Sequence, residues 1–217
     1  MHPDPTFDDR LQGEAGFGLE IIETLRAEGG CVPRQDRHLA RMAATAARLG
    51  YVFDAAEARA ALAGLPPGVW RARLALSRDG LRLEHAPMPA PLAEMRLALS
   101  PVRLRAEDPW LRVKTTHRAV YDAARANLPA GVDEVIFLNQ RGEVCEGAIT
   151  TVFARINGRL LTPAQSCGLL PGVLRAQLLD SGQAHEAVLW PADLHAAQAL
   201  FVGNALRGLV PARLPHG

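Results

Sequence analysis

The sequence predicts a mixed α/β protein with two domains and a ligand site between them. Segments with the alternating pattern of β-strands are interleaved with segments of helical period along the whole chain. A charged stretch without a strong period, residues 103–109, separates the two halves. We therefore predict a smaller N-terminal α/β domain over residues 1–104 and a larger C-terminal domain over residues 105–217.

Strand and helix patterns follow each other in the first half. Residues 1–15 are polar and proline-rich, which predicts an irregular arm. For the first helix we expect Asp36 as N-cap and Gly50 as C-cap. The predicted elements are a strand at 17–26, a helix from 37 to 49, a second helix at 54–63, and strands at 69–77, 81–86 and 95–102.

The second half begins with a helical pattern and continues with short strands. Turn residues at 140–142 and 157–158 separate apolar runs, which predicts a β-meander. The predicted elements are a helix at 119–128, meander strands at 133–139, 143–147, 151–156 and 159–163, a helix from 171 to about 181, a strand at 185–190, a helix at 191–197, and one strand at 200–210.

The composition is that of a globular chain and gives no sign of a nucleic-acid or membrane partner. Apolar residues make up 48% of the chain, and the formal net charge is +1, with arginines scattered among acids. No apolar run is long enough to span a membrane, and the acidic start is unlike a signal peptide. Neither the three cysteines nor the seven histidines have a metal-binding spacing. These features predict a soluble cytoplasmic protein without a metal site.

Lys114 is the strongest chemical signal, because it is the only lysine among 24 basic residues. A guanidinium stays protonated, whereas a desolvated lysine amine can lose its proton and condense with a carbonyl. The alternative is that an arginine-rich composition leaves one lysine on the surface. The lone lysine by itself leaves both interpretations open.

Two more segments carry residues suited to a ligand. Glu146 ends a predicted strand, where a buried acid would need a cationic partner such as a protonated ring nitrogen; an ordinary turn carboxylate is the alternative. In LLPGVLR, residues 169–175, a Pro-Gly pair precedes a helix whose first amides, those of Val173 and Leu174, would favour a phosphate. Pro-Gly before a helix is also common without any ligand.

The segment GNALRG, residues 203–208, places Asn204 and Arg207 between two glycines inside an apolar run. Glycines let a ligand approach the backbone, and a bulged turn with a solvated arginine is the alternative. The sequence contains no GxSxG, GxGxxG or P-loop motif. A nucleophilic role for Cys145 or Cys167 stays open, although no base is placed beside either.

Taken in order, these segments resemble the class IV aminotransferases, the fold-type IV pyridoxal-phosphate enzymes, from about residue 17 to residue 214. FGLEIIETLR is similar to the family's YGDGLFET strand, and DRHLARMAATAARLGY to its H-x-x-R-L helix. Lys114 falls at the position of the lysine that holds the cofactor covalently, and Glu146 at the carboxylate that faces the pyridine nitrogen. The resemblance implies pyridoxal 5'-phosphate as cofactor, with the phosphate held by Arg41, the amides of Val173 and Leu174, and Asn204.

Within the family, KTTHRAVYD, EVCEGAITTVF, CGLLPGVLR and GNALRGLVPARL are most similar to the 4-amino-4-deoxychorismate lyases. Such enzymes release pyruvate and give 4-aminobenzoate for folate synthesis, and the resemblance also implies a homodimer. Guanidinium groups bind carboxylates bidentately, so the candidates for the substrate carboxylates are Arg207, Arg73 and Arg118.

Two alternatives are weighed against the lyase. One is a pyridoxal-phosphate transaminase of branched-chain or D-amino acids. The other is a non-catalytic binding module that keeps the fold, with a chorismate-using synthase as a candidate partner. The second is motivated by two departures from the family pattern, with Phe17 in place of the tyrosine of YGDG and Thr151 in place of the asparagine of E-G-T-x-x-N. Ala148, in place of the threonine of the latter motif, is a further departure.

Overall fold

The structure, a computed structural model, describes residues 11, 16 and 18–215. The arm predicted at residues 1–15 lies outside the described residues except for Leu11, and Phe17 lies outside them as well. The described chain is mixed α/β, which confirms the predicted fold class. It forms two compact units, one made of the chain up to Ala90 with Val113–His117, the other of Pro91–Arg112 with the chain from Arg118 onward.

The first unit contains an antiparallel sheet in the order β1-β2-β3. Its elements are β1 (Ile21–Glu28), α1 (Gln35–Leu49), α2 (Ala55–Ala63), β2 (Val69–Ser77) and β3 (Gly80–Pro87). Each of them was predicted from the sequence, with shifts of a few residues at some ends. Helix α1 buries Leu39, Met42 and Leu49 on one face, and this apolar face packs against β1.

The helix caps of the first unit correct one prediction and confirm another. Arg34, in the left-handed conformation with φ 62°, is the N-cap of α1. Asp36 lies instead in the first turn, where its charge suits the positive end of the helix dipole. Gly50 has the predicted left-handed C-cap conformation, with φ 69°. Asp54 caps α2 by accepting two backbone N–H bonds.

The second unit contains an eight-stranded sheet in the order β6-β5-β4-β11-β10-β7-β8-β9. Its strands are β4 (Met95–Leu104), β5 (Glu134–Asn139), β6 (Val144–Gly147), β7 (Thr151–Ile156), β8 (Arg159–Pro163), β9 (His185–Ala187), β10 (Ala199–Asn204) and β11 (Gly208–Arg213). Its helices are α3 (Ala119–Ala126), α4 (Val173–Asp180) and α5 (Pro191–Ala196). The core includes Ile136, Val152 and Val202, which come from three different strands and are completely buried.

Two topology predictions for this unit are wrong. The strands β5 to β8 do not form one meander, because β4, β11 and β10 lie between β5 and β7 in the sheet. The strand predicted at 200–210 is an antiparallel hairpin of β10 and β11. The side chain of Asn204 closes its turn by accepting the amides of Leu206 and Arg207 at 3.1 and 3.0 Å.

The division of the chain into domains between residues 104 and 105 stays a prediction. The two compact units have different boundaries, at Ala90 and around Val113–His117. Strand β4 pairs in parallel with β5 and β11, so its hydrogen bonds belong to the second unit. The segment Val113–His117 belongs to the first unit, because its backbone bonds go to residues just before and within β1. The candidate lysine therefore lies in the first unit, although the prediction assigned it to the C-terminal domain.

Among the described residues, no helix is both long enough and apolar enough to cross a bilayer. The same residues contain no group of three or more His, Cys, Asp or Glu side chains arranged to hold a metal ion. All three cysteines are unpaired thiols, with Cys31 exposed and Cys145 and Cys167 buried.

Candidate active site

Lys114 lies in a short extended segment beside β1. Its carbonyl oxygen accepts the amide of Ile22 at 2.9 Å, and the amide of Thr116 donates to the carbonyl of Glu20 at 2.9 Å. The hydroxyl of Thr116 in turn accepts the amide of Glu20 at 2.9 Å. These bonds fix the backbone on both sides of Lys114, whose side chain is half-buried. The amine is therefore attached to a backbone of defined position.

Arg41 is part of a buried cluster with Glu23 and His38 in the first unit. Both Nε and Nη2 of Arg41 donate to the Glu23 carboxylate at 2.7 Å, and Nδ1 of His38 lies 2.6 Å from the same group. Burial raises the pKa of Glu23, but the charges and hydrogen bonds of Arg41 and His38 outweigh it and lower the pKa to about 2. Glu23 is therefore a permanent anion at neutral pH.

The Glu23 carboxylate orients the guanidinium that was predicted to bind the cofactor phosphate. The pairing uses two of the five N–H groups of Arg41 and fixes the plane of its fork. On the other side of the carboxylate, Nε2 of His38 is buried without a hydrogen-bond partner among the described residues. The phosphate-binding role of Arg41 stays a prediction, now with a built-in orienting group.

Arg73, a candidate for substrate carboxylates, lies within an ion-pair network on the three-stranded sheet. Its guanidinium nitrogens are 3.5 Å from Glu20 and 3.6 Å from Glu84. Arg82 pairs with the same two acids at 2.8 and 2.5 Å. Any substrate carboxylate binding to Arg73 would therefore compete with two protein carboxylates.

Glu146 lies on β6 of the second unit and is buried. The phenol of Tyr121, on α3, donates to one of its oxygens at 2.6 Å, and the amide of Leu170 donates to the other at 3.1 Å. Both bonds favour an ionised carboxylate in a single orientation. The sequence alternative of an ordinary exposed turn carboxylate does not describe this residue.

The turn after Glu146, residues 147–150, is organised by the buried carboxylate of Glu134. This carboxylate accepts the amides of Ala148 and Ile149, each at 3.2 Å, and the hydroxyl of Thr150 at 3.0 Å. A side chain at Gly147 would collide with Thr150 and with Glu134. The departure of Ala148 from the family pattern therefore falls in a turn whose backbone amides have a carboxylate partner.

Two predicted ligand-binding residues also hold this turn. Nη2 of Arg118 donates to the carbonyl of Ala148 at 3.0 Å, and its Nε donates to Asp122 at 2.8 Å. The side-chain amide of Asn204 donates to the carbonyl of Ile149 at 3.1 Å. Arg118 and Asn204 are thus brought together with the segment that follows Glu146.

The N-terminus of α4 has the features expected of an anion site. Gly172 is its N-cap, and the amides of Val173 and Leu174 open the helix, where the first N–H groups have no partner within the helix. A Cβ atom at Gly172 would come within 2.9 Å of the hydroxyl oxygen of Thr151, which is buried. Thr151 therefore places a hydroxyl, instead of the family's asparagine amide, beside the start of the helix.

Arg207 and the two buried thiols complete the set of sequence candidates. Arg207 is half-buried in the turn between β10 and β11, and its amide donates to Asn204. Burial raises the pKa of the Cys145 thiol strongly and that of Cys167 to about 11. Both thiols are protonated at neutral pH, so neither is an activated nucleophile.

Sequence reasoning missed three residues: Glu23, Tyr121 and Glu134. The two acids had a signal, since each lies in or beside an apolar strand segment, IIETL and EVIFL, where a buried carboxylate requires donors. Tyr121 had a weaker signal as one of only two tyrosines in the chain. The partners named above lie 14 to 25 residues away along the chain, beyond the range of any local pattern.

Comparison with known proteins decides the family. Residues 20–214 match the model of the amino-transferase class IV family. The chain belongs to this family. A solved structure from Mesorhizobium loti, provisionally named an amino-acid aminotransferase, is 47% identical, with a TM-score of 0.83 over 91% of this chain and 100% of that chain. The 4-amino-4-deoxychorismate lyase of Pseudomonas aeruginosa is 27% identical, with a TM-score of 0.79 over 91% of this chain and 83% of that one.

Relatives found by sequence carry both activities in their names. A Schizosaccharomyces pombe protein provisionally named aminodeoxychorismate lyase is 32% identical over 188 residues, 78% of this chain and 79% of its own length. A Thermotoga maritima protein named as a branched-chain-amino-acid aminotransferase is 33% identical over 85 residues, 37% of this chain. The match spans only 31% of that aminotransferase.

Class IV aminotransferases and their fold-type IV relatives are enzymes that depend on pyridoxal phosphate and act on small molecules. The residues of this chain fit the groups of that cofactor. The amine of Lys114 is the chemical group that an aldehyde would need, and the buried carboxylate of Glu146 is an acceptor suited to a protonated pyridine nitrogen. The α4 N-terminus, packed closely around Gly172, suits the phosphate.

Proposed function

We propose that this protein is a 4-amino-4-deoxychorismate lyase, which releases pyruvate and leaves 4-aminobenzoate for folate synthesis. The observation that carries the pyridoxal-phosphate chemistry is the position of Lys114, the sole lysine of the chain, held by backbone bonds beside β1. Further support comes from the motif resemblance and from the S. pombe relative, whose match covers more than three quarters of both chains.

Bound pyridoxal phosphate supplies an electron sink to the carbon that bears the substrate's amino group. Lys114 would hold the cofactor, and its amine would take the proton from C4 of the substrate. The same amine returns a proton to the enolpyruvyl group, which leaves as pyruvate while the ring becomes aromatic. The Glu146 carboxylate would favour the protonated form of the pyridine nitrogen.

The phosphate is held in this proposal by Arg41, the amides of Val173 and Leu174, and Asn204. The fixed fork of Arg41 and the helix amides support this assignment. Asn204 has both lone pairs of its oxygen and one amide hydrogen engaged with backbone groups, which leaves one hydrogen for the phosphate.

Arg207 is the guanidinium that we assign first to the substrate carboxylates. It lies in a turn bounded by Gly208, and glycine allows close approach of a ligand. Arg73 and Arg118 are the other candidates, and at each of them a substrate carboxylate would compete with acidic side chains of the protein.

A transaminase of branched-chain or D-amino acids is the second candidate. It is favoured by the M. loti structure, which is named as an amino-acid aminotransferase and is 47% identical to this chain. Both candidates use the same lysine and the same cofactor, so only the products distinguish them.

The test is a product assay on purified protein loaded with pyridoxal phosphate. With 4-amino-4-deoxychorismate we expect 4-aminobenzoate and pyruvate in equal amounts. With branched-chain L-amino acids or D-amino acids we expect no pyridoxamine phosphate. Formation of pyridoxamine phosphate and its reversal by a 2-oxo acid, with no 4-aminobenzoate formed, would replace the lyase by the transaminase.

Lys114→Ala and Lys114→Arg test the covalent role of the lysine. Arginine keeps the positive charge but cannot condense with an aldehyde, so both variants should lose at least about 10³-fold in activity. Borohydride reduction should fix the cofactor to the Lys114 peptide of the native protein and to no peptide of either variant. An active Lys114→Arg variant would contradict the assignment.

A homodimer in the cytoplasm, supplied with substrate by a chorismate-using synthase, also belongs to the proposal. The family resemblance supports the dimer, and the substrate itself supports a preceding enzyme that aminates chorismate. Sedimentation equilibrium of the full chain should give twice the mass of 23.4 kDa.

A further inference from the structure

The Glu146 carboxylate has a donor on each of its oxygens. The phenol of Tyr121 donates across 2.6 Å, a short bond typical of a hydroxyl and an ionised carboxylate. The amide of Leu170 donates to the second oxygen across 3.1 Å. Tyr121 and Glu146 are 25 residues apart in the chain, so this contact is made by the fold and not by a local turn.

Tyr121 is itself fixed by its neighbours. Its ring packs edge-on against Phe137 of β5, with ring centroids 5.2 Å apart. The guanidinium of Arg118 lies 5.6 Å from the centre of the same ring. Burial, followed by the charge of Glu146, raises the pKa of the phenol far above its ordinary value. The phenol therefore acts as a donor at all physiological pH values and cannot itself serve as a base.

We propose that Tyr121 is a positioning residue for the cofactor: its hydroxyl holds Glu146 in one rotamer so that the carboxylate faces the pyridine nitrogen. This inference rests on the role proposed above for Glu146. Tyr121 itself need not touch the cofactor.

The physical consequence follows from what a free Glu146 side chain would do. Without the phenol, the carboxylate loses its short bond to Tyr121 and keeps the longer one from the Leu170 amide, so the side chain is held less tightly about its flexible torsions. An ion pair or hydrogen bond with a pyridinium nitrogen depends on distance and direction, so a rotating carboxylate binds it less well. Loss of the hydroxyl should therefore lower the affinity for the cofactor, beyond the loss in the free energy of unfolding that any buried hydroxyl bond would cause.

Tyr121→Phe removes the hydroxyl and keeps the ring that packs on Phe137. The matched control is Tyr51→Phe, at the other tyrosine of the chain, whose buried hydroxyl donates to the carbonyl of Leu19 at 2.9 Å. Pyridoxal phosphate titrated into each full-length apo-protein should bind about tenfold more weakly to Tyr121→Phe, the effect expected for a hydrogen bond to a charged group. The control should stay within about twofold of the native protein.

Two further readouts separate positioning from general damage. The pH midpoint of the visible absorbance change of the loaded protein should move in Tyr121→Phe and not in Tyr51→Phe. Urea unfolding of the two apo-proteins should give similar losses, because each variant loses one buried hydroxyl bond. Equal cofactor affinity in the two variants would overturn the proposal.

Glu146→Gln and the double variant Glu146→Gln/Tyr121→Phe complete a double-mutant cycle. If Tyr121 acts through Glu146, Tyr121→Phe should change cofactor affinity less than twofold in the Glu146→Gln background. A tenfold loss in that background would show direct action on the cofactor and overturn the positioning role. Native affinity in Glu146→Gln would instead overturn the role proposed for Glu146 itself.

Discussion

Glu23 and Glu134 are both only 1% exposed, one on β1 of the first unit and the other at the start of β5 in the second, yet their pKa values move in opposite directions. Burial raises both. At Glu23 the cationic partners Arg41 and His38 outweigh burial and lower the pKa to about 2. At Glu134 the partners are mainly backbone amides and the Thr150 hydroxyl, burial dominates, and the pKa is raised.

The difference teaches that the charge of the partners, and not the depth of burial, decides what a buried acid does in this fold. Glu23 forms a charge pair that orients an arginine. Glu134 shapes a turn through neutral donors, and in doing so it fixes the segment after Glu146. Removing each acid should therefore have different consequences.

Glu23→Gln should have the largest effect of these tests, a loss of about 3–5 kcal/mol in the free energy of unfolding. The amide cannot neutralise the guanidinium of Arg41, which lies largely buried against it. Glu28→Gln on the same strand is the matched control, because Glu28 forms an exposed pair with Arg26, and it should change stability by less than about 0.5 kcal/mol. Urea unfolding measures both. Equal losses in the two variants would contradict the charge-pair interpretation.

Acid should remove the contribution that ionised Glu23 makes to the free energy of unfolding, which is about 3 kcal/mol at most. The pKa of Glu23 is about 2 in the folded protein and 4.5 as its ordinary value, so its stabilisation is present above 4.5 and is lost as the pH falls toward 2. The raised pKa of Glu134 has the opposite sign, with stabilisation present at low pH and lost as the pH rises through the folded value. As the pH falls from about 4.5 toward 2, the difference in unfolding free energy between native protein and Glu23→Gln should narrow. The difference between native protein and Glu134→Gln should widen at higher pH, as the pH falls through the raised pKa of Glu134 toward 4.5. If the two differences in unfolding free energy changed with pH in the same way, the pKa values of the two acids would not be shifted in opposite directions.

Glu134→Gln should have the smallest effect, a loss of about 1–3 kcal/mol at neutral pH. Its amide nitrogen would face N–H and O–H donors in the turn at 147–150, but the charge that acts on Glu134, that of Arg125, is on an exposed side chain. Glu107→Gln, at an exposed acid of the same unit, is the control and should be nearly neutral. Thermal unfolding compares the two variants. If Glu134→Gln lost as much unfolding free energy as Glu23→Gln, the proposed difference between the two acids would be wrong.

Local chemistry made much of the fold predictable. The helices over Gln35–Leu49 and Ala55–Ala63 follow from apolar period, and the caps at Gly50 and Asp54 follow from residue type. The wrong N-cap at Asp36 and the false single strand at 200–210 are failures of the same local rules. Asp36 lies in the first turn of the helix and not at its N-cap. Asn204 closes a hairpin turn where a continuous strand was predicted.

The sequence by itself determined which residues could do chemistry: one lysine that can condense with an aldehyde, an acid at the end of an apolar strand, and a glycine before a helix. Only the tertiary structure decided what holds them. It brought Glu23 into contact with Arg41, and Tyr121 into contact with Glu146. It also brought three side chains to the turn at 147–150, those of Glu134, Arg118 and Asn204. The physical reason is range, because periodicity and capping act within a few residues, whereas a buried carboxylate takes whatever donors the packed strands and helices bring to it.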